Sequence, residues 1–222
     1  MPYYPVSLNI TGRNCLVVGG GCVGRRKVKT LLKCGAKVTV VCPQAEAELA
    51  ELAQSGMITL KQRSYCSADM DGIFLVIGAT DDEKLNIRIS KEAEVHNILY
   101  NIVDRPEACN FILPALVHRG DLMIAISTSG KSPAFAKKLR KELEQEFGEE
   151  YALFLVLMGA IRKKMLKQGH APLKHKRLFE RLIDSGLIEM LTKKREKEIN
   201  GVLGEILGEG YEFKALMQSV EP

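Results

Sequence analysis

Asn14-Cys15-Leu16-Val17-Val18-Gly19-Gly20-Gly21-Cys22-Val23-Gly24 is the stretch on which the fold of this chain turns. Its first five residues form a short apolar run of the kind that makes a buried strand. From Val23 to Cys34 the apolar residues Val23, Val28, Leu31 and Leu32 recur near helical spacing, and Gly35 follows as a C-cap. Between strand and helix stands G-x-G-x-x-G at Gly19, Gly21 and Gly24. Glycines are common, so the bare pattern says little; a strand before it and a helix after it supply the context it needs. Gly19 then permits the tight turn, Gly21 lets the backbone approach a pyrophosphate, and Gly24 lets helix and strand pack closely. The helix N-terminus adds amide donors and the positive end of its dipole. A Rossmann-type nicotinamide-dinucleotide site follows, with Gly19, Gly21, Cys22, Val23 and Gly24 as expected contacts.

The same rhythm continues outward. Lys37–Cys42 is a second strand closed by Pro43, Ala45–Gln54 a helix, and Ile58–Lys61 a short strand. Ile73–Ile77 is a fully apolar strand, Asp82–Glu94 a helix, and Ile98–Val103 a fifth strand. Apolar strands alternating with helices predict a parallel sheet covered on both faces. A ribose-binding acid is expected about 20 residues past the loop. Here the second strand ends in Cys42-Pro43-Gln44, with Glu46 the nearest acid and no arginine. Pro43 and Gln44 are therefore the expected contacts, and the choice between NAD and NADP leans only weakly to NAD. Ala79 and Thr80, after the fourth strand, line the crevice where such sheets bind ligands; Thr80 also suits an N-cap.

The pattern changes after Pro106. Phe111–Val117 and Leu122–Ser127 read as two strands joined at Arg119-Gly120-Asp121, as in a small separate domain or an oligomer interface. Ser132 with Pro133 opens a helix that runs to about Phe147. The remainder reads as helices over Tyr151–Lys167, Lys174–Asp184 and Leu187–Lys197, then a tail containing Gly201, Gly204, Gly208 and Gly210. The fold class is α/β: a dinucleotide-binding domain over 1–105, a hairpin and helix segment over 106–148, and a helical region over 149–222.

Composition agrees with a globular protein. Of 222 residues 46% are hydrophobic, and the formal charge is +5, with basic runs at 162–164, 174–177 and 193–195. A basic surface attracts nucleic acid or small polycarboxylates, though solvated helix faces explain such runs as well. No helix-turn-helix with a basic recognition helix stands out, so no nucleic-acid partner is expected. The six cysteines, at 15, 22, 34, 42, 66 and 109, contain no C-x-x-C and read as free thiols, without a disulfide framework or metal site. His118, near the turn of the hairpin, could be a proton donor or a metal contact, though a single histidine on a hairpin is more often a plain surface residue; His170 and His175 read as inert. With no signal peptide and no apolar run long enough to span a bilayer, a cytoplasmic setting is expected.

Several segments together resemble the precorrin-2 dehydrogenase family, the N-terminal type of siroheme synthase. They are Tyr4-Pro5-Val6, Cys15 to Gly21, Arg26-Lys27-Val28, Gly35 to Val41 and Ala79-Thr80-Asp81-Asp82. Asn101-Ile102-Val103-Asp104, Phe111 to Ala115 and Ser127 to Pro133 continue the match, which covers roughly residues 2–165 in order. The resemblance implies that precorrin-2, a reduced tetrapyrrole bearing many carboxylates, loses a hydride to NAD and protons to the medium, giving sirohydrochlorin. Bifunctional members then insert ferrous iron, held by the macrocycle as substrate. It also implies a homodimer built through the region after the dinucleotide domain. Asp104 matches the family's principal active-site carboxylate; a turn-capping role before Pro106 is the alternative. Ser127, Thr128, Ser129, Lys131 and Ser132 form a loop that could hold a substrate carboxylate at a helix N-terminus. The competing reading is a capping loop with Ser132 as N-cap. Some members carry a phosphorylatable serine where this chain has Thr128, so that regulation is not carried over. A nucleotide-sensing module without catalysis is the alternative to an enzyme, and it would need neither Asp104 nor the 127–133 loop.

Overall fold

The computed structural model describes residues 3–167 and 172–219; His170 lies outside them. The chain divides into two units, one ending at Leu113 and one beginning at Pro114.

The first unit holds five parallel strands: β1 (Asn14–Val18), β2 (Lys37–Val41), β3 (Ile58–Lys61), β4 (Leu75–Gly78) and β5 (Leu99–Ile102). Their order is β3-β2-β1-β4-β5, the doubly wound arrangement expected of alternating strands and helices. Side chains of β1 alternate between two cores. Cys15 and Val17 pack on one face with Val28 and Leu31 of α1 (Cys22–Lys33) and Leu49 of α2 (Ala47–Gln54). Leu16 and Val18 pack on the other with Ile89 and Ala93 of α3 (Glu83–Val95). Burial on both faces explains why these strands are apolar throughout rather than alternating. Val18 pairs with Val41 and Gly78, Val41 with Lys61, and Gly78 with Ile102. The carboxyl ends of all five strands are therefore level, and the loops that leave them share one edge.

The crossover from β3 to β4 contains no α-helix. Residues 67–70 form a 3-10 turn instead, with Tyr65 and Met70 sealing the core beneath α3. Asp69, buried, organises this segment. It accepts hydrogen bonds from Lys61 Nζ at 2.9 Å, Arg63 Nη2 at 2.6 Å and the Cys66 amide at 3.1 Å. The Arg63 bond, foremost, holds the Asp69 carboxyl well below the usual carboxylate range. Such a group contributes its full stability above the unfolded value of about 3.9 and loses it as pH falls through the lower folded value. Asp69→Asn is accordingly expected to be less stable at neutral pH, with a gap to the parent chain that closes progressively below about pH 4. Urea midpoints measured across that range check this, and a gap independent of pH would contradict it.

In the second unit, β6 (Ala115–Arg119) and β7 (Leu122–Ile126) form an antiparallel hairpin. The first of these strands starts later than the sequence suggests, for two reasons. Pro114 has no N–H, and residues 110–111 bond to β5: the Asn110 amide donates to Tyr100 O at 3.2 Å, and Asn101 Nδ2 to Phe111 O at 3.0 Å. One face of the hairpin carries buried Val117 and half-buried Leu122, Ile124 and Ile126. The other presents Leu116, His118, Met123 and Ala125, all exposed.

Helices α4 (Pro133–Glu146), α5 (Glu150–Lys167), α6 (Pro172–Asp184), α7 (Leu187–Thr192), α8 (Glu196–Leu207) and α9 (Phe213–Gln218) follow. Leu157, Ile161, Leu182, Leu191, Ile199 and Leu203 meet in one core. The stretch expected as one helix over Leu187–Lys197 is two. Lys194 adopts a left-handed φ of 52°, and the Arg195 amide donates to Met190 O at 2.9 Å, ending α7 so that α8 can return Ile199 to the same core. Gly201 and Gly204 lie inside α8, not in a tail. Among the described residues no helix is long and apolar enough to cross a membrane.

Candidate active site

The glycine loop leaves β1 at the level carboxyl edge of the sheet. Gly19 has φ 123°, and a Cβ there would stand 2.1 Å from Ala79 O. A Cβ on Gly24 would stand 2.2 Å from Gly19 O. The turn and the close helix–strand approach thus both exclude a side chain, as the pattern requires. Around Gly21 nothing lies within 4 Å of a Cβ position, so its outer side is open. Gly21 is the N-cap of α1, no side chain caps that end, and no acid occupies its first turn. The amides at Cys22, Val23 and Gly24 therefore face an open cradle at a helix N-terminus, a fit for a pyrophosphate.

Neighbouring loops are stitched to this one. Gly19 N donates to Val41 O at 3.0 Å, Ala79 N to Val18 O at 2.8 Å, and Glu46 N to Gly20 O at 2.9 Å. Pro43 and Gln44 are exposed between them. Glu46, the acid nearest the end of β2, is engaged by Arg25 of α1 at 3.1 Å. Thr80 does not cap α3. Asp82 does, its Oδ1 accepting from the Leu85 amide at 3.1 Å, while the Thr80 hydroxyl bonds Asn86 Oδ1 at 3.0 Å. Buried Asn86 also donates to Thr80 O at 2.8 Å, fixing the loop shape that the sequence assigned to a cap.

Asp104 follows β5 on the same edge and is exposed. Its φ is 60°, in the left-handed region that aspartate and asparagine enter more readily than other L-residues. The Arg105 amide donates to Ile102 O at 3.2 Å, closing a tight turn with Asp104 at its third position. Three residues around it were not singled out by sequence. Cys109 Sγ accepts from the Ile102 amide at 3.2 Å and donates to Arg105 O at 3.1 Å. Burial pushes this thiol's pKa up, so it stays protonated and able to donate. Asn101, buried beneath, holds the Phe111 carbonyl. Lys27, half-buried on α1, has its pKa lowered chiefly by burial and next by Arg26, against the opposing pull of Asp104 and Cys109. Lys27 lies on the helix that follows the glycine loop. Lys27 and Asn101 lie in segments that carry the family resemblance, with no role attached to them there, whereas Cys109 is marked only by its contacts.

In the second unit, Ser132 is the N-cap of α4, its Oγ accepting from the Phe135 amide at 3.3 Å, with Pro133 next. Thr128 Oγ1 accepts from the Ser132 amide and Ser127 Oγ from the Ser129 amide, both at 3.1 Å. Ser129 and Gly130 have positive φ, and Lys131 is exposed. The capping reading of this loop is thereby seen directly; its hydroxyl protons and Lys131 are what it can still offer to an anion. His118 sits exposed on the hairpin, and among the described residues no cluster of three His, Cys, Asp or Glu side chains could hold a metal ion.

Comparison with known proteins agrees with this layout. Residues 6–115 match a family described as NAD(P)-binding, and residues 119–146 one described as sirohaem biosynthesis protein central. The chain is 37% identical over 212 residues to siroheme synthase of Nitrosococcus oceani, covering 95% of this chain and 45% of that protein. It is 33% identical over 210 residues to siroheme synthase of Escherichia coli, covering 94% of this chain and 46% of that one. The chain thus spans about half the length of these curated relatives. Among solved structures it superposes on SirC, a precorrin-2 dehydrogenase, with a TM-score of 0.76 and 30% identity, covering 92% of this chain and 98% of that one. With a sheet, a glycine cradle and an aspartate turn in place, and SirC matched almost end to end, the chain belongs to the precorrin-2 dehydrogenase family.

Proposed function

We propose that the protein dehydrogenates precorrin-2 to sirohydrochlorin with NAD as oxidant. The observation that carries this reading is the placing of Asp104, exposed at the end of β5, on the same sheet edge as the open glycine cradle. Exposed on that edge, its carboxylate is available for proton transfer, and a pure nucleotide sensor has no use for one. NAD, held at Gly21 through Gly24, supplies a two-electron acceptor. Asp104 takes up a proton as the macrocycle loses hydride. The Ser127–Ser132 loop and Lys131 hold a carboxylate of the substrate at the start of α4. Ferrous iron insertion by the same chain, with Asp104 receiving pyrrole N–H protons, is the second activity this reading includes.

A homodimer is part of the proposal. Leu116 and Met123 are apolar side chains exposed on the outer face of the hairpin, the face opposite buried Val117. A second copy of the same hairpin would bury them. The six cysteines, all free, suit a reducing cytoplasm.

Incubation with precorrin-2 and NAD, followed by ferrous iron, tests the reading by absorption spectroscopy. The expected result is sirohydrochlorin formed in step with NADH, then a siroheme spectrum on adding iron. NAD bound without turnover would replace this function with nucleotide sensing.

A further inference from the structure

The turn that carries Asp104 is held from one side by a single side chain. Asp104 is exposed and has no hydrogen bond of its own side chain among the described contacts, so nothing it does itself keeps φ at 60°. The Arg105 amide closes the turn onto Ile102 O. Cys109, five residues on and half-buried, then reaches back across it. Its Sγ accepts from the Ile102 amide at 3.2 Å and donates to Arg105 O at 3.1 Å, with Ile102 O a second acceptor at 3.4 Å. Asn101 Nδ2 approaches the same sulfur at 3.6 Å. These bonds grip the backbone on both sides of Asp104. A small side chain that both donates and accepts, on a stem long enough to span the turn, is what this position requires.

We propose that Cys109 is a positioning residue for Asp104: its thiol, bonded to the backbone before and after that residue, keeps Asp104 left-handed and so sets the direction in which its side chain leaves the turn. This inference rests on reading Asp104 as the acid–base group. A left-handed residue sends its Cα–Cβ bond in a different direction from an extended one, so release of the clamp displaces the carboxylate from its target. Misplacement of a reacting group by about 1 Å costs on the order of 100-fold in rate.

The test is made on the full chain with Cys109→Ala, Cys109→Ser and Cys109→Val. Cys109→Ala is expected to lower kcat for precorrin-2 dehydrogenation by about tenfold or more, with KM and NAD affinity within about twofold. Cys109→Ser, which keeps a donor and an acceptor, restores most of the rate. Cys109→Val fills the space without either, and gives the same readout if the alanine variant does not fold. By NMR, the φ-dependent coupling of Asp104 changes and the Ile102 amide exchanges faster in the alanine and valine variants only. In a Cys109→Ala, Asp104→Asn double variant the rate is no lower than with Asp104→Asn alone. Unchanged Asp104 coupling and Ile102 exchange in the alanine and valine variants would overturn the clamp, as would rate losses that simply multiply in the double variant. Full activity of Asp104→Asn would overturn the acid–base reading instead, and the NMR result would still decide the clamp.

Discussion

Gly21→Asp is expected to abolish useful NAD binding while leaving the fold as stable as before or slightly more so. The two effects have one cause. Gly21 caps α1 with extended backbone and open space where a Cβ would stand, so aspartate enters without a clash. Aspartate is among the best N-cap residues, and α1 has no side-chain cap to lose. Its carboxylate would take the same amides that a pyrophosphate needs and would repel the phosphates besides. Charge-assisted bonds of that kind are worth about 1.5–3 kcal/mol each, so affinity should fall by at least about 100-fold, or roughly 2.7 kcal/mol. Titration calorimetry with NAD, beside a thermal melt, reads both. Wild-type affinity in a folded variant would remove the loop from the site. Gly24→Ala is the contrast: its Cβ would press on Gly19 O at 2.2 Å, and it should destabilise the whole first unit.

Asp104→Asn should cost about 10²–10⁴ in the rate of the chemical step, the range for loss of a positioned acid–base group. Asparagine is the informative substitution. It tolerates the left-handed conformation that Asp104 occupies, so the turn survives and only the proton acceptor is lost. Alanine at the same place removes the carboxylate and adds backbone strain. NAD affinity should be unchanged in both variants. Single-turnover absorption changes separate chemistry from product release, and rates within twofold of the parent chain would take Asp104 out of the mechanism.

Much of this is legible in the sequence. The strand from Asn14, the glycine spacing and the apolar runs at 37–42 and 73–77 pointed to the parallel sheet, because burial on both faces leaves a strong local signature. Asp104 and the 127–133 loop came from a resemblance, not from periodicity. What stayed hidden depends on contacts between distant residues. Asn86 holding Thr80, Cys109 clasping the turn around Asp104, and Asp69 replacing a crossover helix are side-chain to backbone bonds with no spacing rule. The break at Lys194 was invisible for a related reason. Lysine has no special preference for the left-handed region, and only the return of Ile199 to the core demands the turn there.

The mutual contact of Gly19 and Gly24 also bears on how quickly the site fills. Two backbone segments that meet with no room for even a methyl group have no second packing to relax into, and bonds to Val41 and Glu46 tie the same loop to its neighbours. The cradle is therefore shaped before anything enters it. A ligand arriving there surrenders its own freedom but orders almost none of the protein. Capture should accordingly proceed in one kinetic phase, linear in NAD concentration, with a heat-capacity change set by the surface covered and no added contribution from folding of the loop.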